Sequence, residues 1–165
     1  MNQRRKFLAA SGACAGLFVM LALAAMAQAP QSHAAAQKTE PPVVHEPGVP
    51  AFHAHPPNGR LAPTLPPSDF NDPRVQNAYA MAAKIKRVLY QEPCYCRCDK
   101  GFGHTSLYSC FAGTHASVCE TCLMEGIFAY LQTQKGKTPG QIRAEIERGD
   151  WKQVNLNQFL TPGRY

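Results

Sequence analysis

"PCYCRCDKGFGHTSLYSCF", from Pro93 to Phe111, holds four of the chain's seven cysteines, three of them at alternate positions. In a straight strand Cys94 and Cys96 would lie ~6.6 Å apart on one face. Two sulfurs on one zinc ion lie ~3.8 Å apart, given Zn–S near ~2.3 Å. A disulfide between Cys94 and Cys96, or between Cys96 and Cys98, would close a tight and strained ring. If all three were oxidised, their partners would have to be Cys110, Cys119 and Cys122. Three separate bridges from so short a run are geometrically demanding, whereas one metal ion takes two neighbouring thiolates at once. The segment is therefore expected to curl, with Gly101 and Gly103 forcing a turn, so that the thiols converge on a common centre.

The spacing downstream predicts a helix from about His115 to Gln132. At ~100° per residue, His115, Cys119 and Cys122 fall within ~60° of one another and form one stripe. Gly126 lies on that stripe a turn later, where a glycine lets another backbone come close. Cys119 and Cys122 form a C-x-x-C pair on the helix, a spacing that chelates one ion. Leu123 follows, so the haem-attachment form is absent, and no βαβ pattern supports a thioredoxin-like reading. The sharpest reading is a closed four-thiolate set of Cys96, Cys98, Cys119 and Cys122. Cys94, Cys110, His104 and His115 are then further ligands, a disulfide, or close neighbours of the ion. Soft thiolates suit Zn(II) or Cu(I), in a structural site or in metal sequestration and delivery. A disulfide-stapled interaction module and a thiol redox or electron-transfer protein stay open as alternatives. Nothing marks one thiol among the six as a nucleophile, so the chain reads as a binding protein and not an enzyme.

Around this centre the sequence is helical. Asp72 is a good N-cap and Pro73 suits a first helical turn. Val75, Ala78, Tyr79, Ala82, Ile85 and Leu89 follow helical spacing as one apolar face, and Pro93 ends the run. Thr138-Pro139-Gly140-Gln141 reads as a capping box that opens a third helix, Pro139 to Arg148, with Gly149 to end it. Ile142 and Ile146 give that helix an apolar edge for Trp151 to cover. Strand signals are nearly absent. The expected fold is all-α, a small three-helix domain over residues 71–165 with an irregular cysteine-rich loop. Such a core buries modest apolar surface, and domains of this kind often take added stability from metal or disulfides.

Residues 28–70 hold ten of the fourteen prolines and read as a disordered or extended linker, with Leu61 to Phe70 spaced to pack as a strap. His53 and His55 there are incidental rather than ligands. Residues 1–27 read as an export signal. Arg4, Arg5 and Lys6 precede an apolar run from Phe7, and Ala25-Met26-Ala27 fits a cleavage site. Arg4-Arg5 with Phe7-Leu8 resembles a twin-arginine signal, which carries proteins already folded in the cytoplasm, often with a metal loaded. The protein is thus expected to be periplasmic or otherwise extracytoplasmic. The run over 7–27 is also long enough to span a bilayer, so an uncleaved anchor stays open. The formal charge of +6 falls to +3 once those three basic residues leave, 14 basic against 11 acidic. That balance gives no case for a nucleic-acid partner.

"PCYCRC", "GHTSLYSCF" and "HASVCETCLME" resemble the PCYCGC-motif proteins, an exported bacterial family of unknown function. "DPRVQNAYAMAAKIKRVLYQEP" and "GKTPGQIRAEIERGDW" are similar to that family too. The resemblance covers roughly Leu61 to Trp151. Arg97 stands where the family's motif has glycine, which puts a charged side chain beside the proposed centre. The resemblance implies an exported domain with a shared cysteine framework. It implies no activity or cofactor.

Overall fold

A computed structural model describes residues 40–163. The expected export signal at 1–27 and the start of the proline-rich segment lie outside these residues. The described part is mostly helical, with six α-helices and one two-stranded ladder. The three expected long helices are present as α1 (Pro73–Lys84), α5 (Glu120–Gln134) and α6 (Pro139–Arg148). Among the described residues no helix is long and apolar enough to cross a membrane.

α1 starts where its capping chemistry puts it. The Asp72 carboxylate accepts the Arg74 amide proton at 2.9 Å and also pairs with the Arg74 guanidinium. Val75, Ala78, Tyr79, Ala82, Ile85 and Leu89 are all buried, as the spacing predicts. The helix does not run on to Pro93. Ile85 breaks it at φ −123°, and a single turn, α2 (Lys86–Leu89), carries the apolar face on. α1 is also buried at Asn77, whose amide donates to the Phe159 and Thr161 carbonyls and ties down the C-terminal tail.

α5 is the central helix, with buried residues on nearly every side from Cys122 to Gln132. It packs on α1 and carries α6 on another face. α6 has the expected capping box between Thr138 and Gln141, and Gly149 ends it at φ 85°, a left-handed conformation that favours glycine. Ile142 and Ile146 are buried, and Trp151 closes over them in a 3₁₀ turn.

From Glu40 onward the proline-rich segment packs on the helices. β1 (Val43–Val44) pairs antiparallel with β2 (Phe52–His53), and Ala51, Phe52 and His53 are buried. The prolines rule out helix and leave backbone carbonyls unpaired, so side chains of the helical domain supply the partners. Lys86 and Tyr108 both donate to the Ala62 carbonyl, at 3.1 and 2.9 Å. The Leu65 amide donates to the Phe111 carbonyl, which seats the expected strap. The His53 ring stacks on Tyr90 at 3.9 Å and bonds the Pro41 carbonyl through Nδ1, so it is a packing residue.

Candidate metal centre

Three short elements bring the cysteines together. The Arg97 amide bonds back to the Cys94 carbonyl at 3.1 Å, closing a turn over Cys94-Tyr95-Cys96-Arg97. Arg97 sits at φ 62°, ψ 29°, in the left-handed region, and α3 (Cys98–Phe102) begins directly after it. This reversal curls the alternate thiols inward, as the spacing requires. Gly103, also left-handed, ends α3 and turns the chain toward His104. The Leu107 amide then donates to the Glu92 carbonyl at 2.8 Å, which docks α4 (Leu107–Ala112) beside the loop. α4 supplies Cys110, and the first turn of α5 supplies Cys122.

Five sulfurs meet at this point. Sγ of Cys94 lies 3.3 Å from Cys96 and 3.4 Å from Cys122, Cys96 lies 3.5 Å from Cys122, and Cys98 lies 3.3 Å from Cys110. Two imidazoles flank them. His104 Nδ1 is 3.3 Å from Cys110 Sγ, and His115 Nε2 is 3.6 Å from Cys96 Sγ. Two four-residue groups have donor atoms all within 4.8 Å of one another: Cys94, Cys96, Cys98 and Cys110; and Cys96, Cys110, His115 and Cys122. Such groups are close enough to hold a metal ion. All six cysteines of the described residues are free thiols, with no disulfide among them.

The helical stripe of His115, Cys119 and Cys122 is not formed, and Cys119 belongs to neither group. The stripe assumed one continuous helix. Instead His115–Val118 is a 3₁₀ turn, and Cys119 is the N-cap of α5 in extended conformation, φ −129°. The 100° rule does not apply across such a break, so Cys119 turns aside while His115 and Cys122 stay. Cys94 and Cys110 join Cys96, Cys98 and Cys122 in its place. Gly126 does admit a close neighbour, but it is the Phe111 ring and not a backbone.

The electrostatics are those of a crowded thiol pocket. Cys96 is held far below the ordinary thiol range by hydrogen bonds from Cys110, Cys122, Cys94 and Cys98. Cys110 is pushed far above that range, because as a thiol it donates into the same network, led by Cys122. Burial lowers the pKa of His104, with His115 adding to the effect. A neutral imidazole and a thiolate are the forms that bind metal.

Sequence reasoning missed two buried acids beside the thiols. Glu125, in α5, is fully buried, accepts the Tyr95 amide at 2.9 Å through Oε1, and has no partner at Oε2. Burial pushes its carboxyl up to about 8. Because it grips the backbone between Cys94 and Cys96, it fixes the curl of the loop. Glu92 is likewise fully buried with both carboxyl oxygens unpartnered, and burial raises its pKa well above the usual range. For Glu125 the available signal was an acid inside an apolar helical run, "CLMEGIFAYL".

A family model described as "Protein of unknown function with PCYCGC motif" matches residues 59–155. No curated protein and no solved structure matches the chain.

Proposed function

Since the chain belongs to the PCYCGC-motif proteins of unknown function, a family that lends it no activity, we propose from the geometry of its own site that it is an exported metal-binding protein for Zn(II) or Cu(I). One observation carries this reading: five unbridged sulfurs, a triad and a pair with internal contacts of 3.3–3.5 Å that fall into common groups within 4.8 Å, with two imidazoles at their edge. A tetrahedral ion spreads its sulfurs to only ~3.8 Å, so a small outward breathing of the thiols admits one. Thiolate and imidazole donors favour soft or borderline ions over magnesium or calcium. Gathering the sulfurs within metal-binding distance of one another, most of them buried, favours holding a metal over catalysing a reaction. Cys119, set apart from the cluster, separates this reading from a general effect of thiol loss. Cys122→Ser should lower metal affinity more than tenfold, while Cys119→Ser should leave it within twofold, read by competition with a chromophoric chelator. Equal losses in both variants would contradict the site.

Export rests on Arg4, Arg5, Phe7 and Leu8. A site loaded in the reducing cytoplasm crosses already protected from oxidation by coordination. Changing Arg4 and Arg5 to lysine should leave a folded, metal-loaded precursor in the cytoplasm. Undiminished export of that form, followed by cell fractionation, would point to the general secretory route.

A further inference from the structure

The cluster holds more donors than one ion uses. A four-coordinate ion takes four, and here five sulfurs and two imidazole nitrogens meet. The two four-residue groups are not separate sites. They share Cys96 and Cys110, so six residues supply eight coordination positions. The 3.4 Å contact of Cys94 with Cys122 ties the groups into one sulfur cluster.

Charge points the same way. One divalent ion cannot balance five thiolates. Either buried negative charge is left uncompensated, which is costly away from water, or thiols remain protonated and idle. A second ion displaces those protons and neutralises most of the remaining charge. Sharing two thiolates is the chemistry that lets two cations lie close together, because each bridging sulfur screens one from the other.

The two groups also differ in burial. Of the ligands the groups do not share, Cys94, Cys98 and Cys122 are 0–4 % exposed, and only His115 is half-buried. His115 packs against the Phe102 ring at 4.7 Å, and Phe102 is itself 68 % exposed, so this end of the cluster lies near the surface.

We propose that this is a binuclear centre in which Cys96 and Cys110 bridge two soft ions. The inner ion, completed by Cys94 and Cys98, is retained. The outer ion, completed by Cys122 and His115, exchanges with solution. His104 bonds the bridging Cys110 sulfur and steadies it. The proposal rests on the metal-binding reading above and adds to it a stoichiometry, a shared ligand pair and an exchangeable position, the feature that delivery requires and a purely structural ion does not.

The test uses ¹¹³Cd(II) as the probe, added without oxygen to the reduced mature chain. Two equivalents should bind and give two ¹¹³Cd resonances, each split by the other through the shared sulfurs. A chelator of moderate strength should remove one ion well before the other. His115→Ala should keep one equivalent and lose the other, with its helical circular dichroism unchanged. Saturation at one equivalent with a single unsplit resonance would overturn the binuclear centre while leaving the metal-binding reading intact. Two unsplit resonances would overturn the bridging. Two equally retained ions in His115→Ala would overturn the outer assignment. No bound cadmium at all would overturn both this proposal and the reading it rests on.

Discussion

Gly126→Ala sets two magnitudes against each other at a point that also positions a cysteine. Gly126 lies in the middle of α5 at an ordinary helical φ, so alanine there gains ~1 kcal/mol of helix propensity. The new methyl would, however, sit 2.5 Å from Phe111 Cζ and 2.8 Å from Cε2. Carbon atoms rest at ~3.5–4.0 Å, so the ring would have to retreat by roughly 1 Å. It has nowhere to go. Phe111 is fully buried and meets the equally buried Tyr79 edge-on at 5.1 Å, and Tyr79 is pinned by its hydroxyl to the Gly113 carbonyl at 2.8 Å. Overpacking of this kind costs ~1–3 kcal/mol, and two contacts under 3 Å place it at the upper end. The net loss is about 2 kcal/mol, a fall in Tm of about 8 °C for a domain this size. Because Cys110 directly precedes Phe111 in α4, the displaced ring drags a cluster sulfur with it, and metal affinity should fall alongside stability. Phe111→Leu in the same chain removes the offending ring atoms. The double variant should therefore be more stable than the sum of the two single changes by at least ~1 kcal/mol. Thermal unfolding by circular dichroism, with chelator competition for the metal, reads both effects. A Gly126→Ala protein as stable as the parent, or no coupling to Phe111→Leu, would refute the reasoning.

Two further outcomes are expected. Glu125 ionises near 4.5 when unfolded and at about 8 when folded, so between those values the unfolded chain binds fewer protons and stability falls as pH rises. Glu125→Gln, which keeps an acceptor for the Tyr95 amide, should flatten that slope in metal-free protein and gain up to roughly 3 kcal/mol at pH 7; an unchanged slope would remove Glu125 as its source. Arg97→Gly relieves the left-handed residue by ~1 kcal/mol but gives up the guanidinium contacts with the Gly48 carbonyl and the Tyr95 ring. Stability should stay within ~1 kcal/mol while amide exchange quickens over residues 46–53, and a large loss of stability would show that the side chain outweighs the backbone.

Much of this was legible in the sequence because it rests on local rules. The cap at Asp72, the box at Thr138 and Gln141, and the apolar faces of α1 and α6 are set by residues within a few positions of one another. Convergence of Cys94, Cys96 and Cys98 followed from strand geometry alone. What failed depended on where the chain departs from periodicity. The break at Val118–Cys119 rotates Cys119 out of the stripe, and no spacing rule foretells it. The roles of Cys94 and Cys110 depend on α4 docking against Glu92, a tertiary contact. The packing of residues 40–60, before the expected strap, escaped notice for a related reason. Their backbone partners are side chains such as Arg87 and Arg97, far along the chain, so composition alone suggested a linker. The motif's glycine, replaced here by Arg97, now has a physical reason: the turn that gathers the thiols needs a left-handed residue at that position.

The most direct test is native mass spectrometry of the mature chain, purified under reductant from cells given no added metal. The account predicts a chain heavier by the mass of bound Zn or Cu, less the protons those ions displace, with every cysteine recovered as a thiol once the metal is stripped. A metal-free chain lighter by two hydrogens for each of two or three disulfides would contradict it.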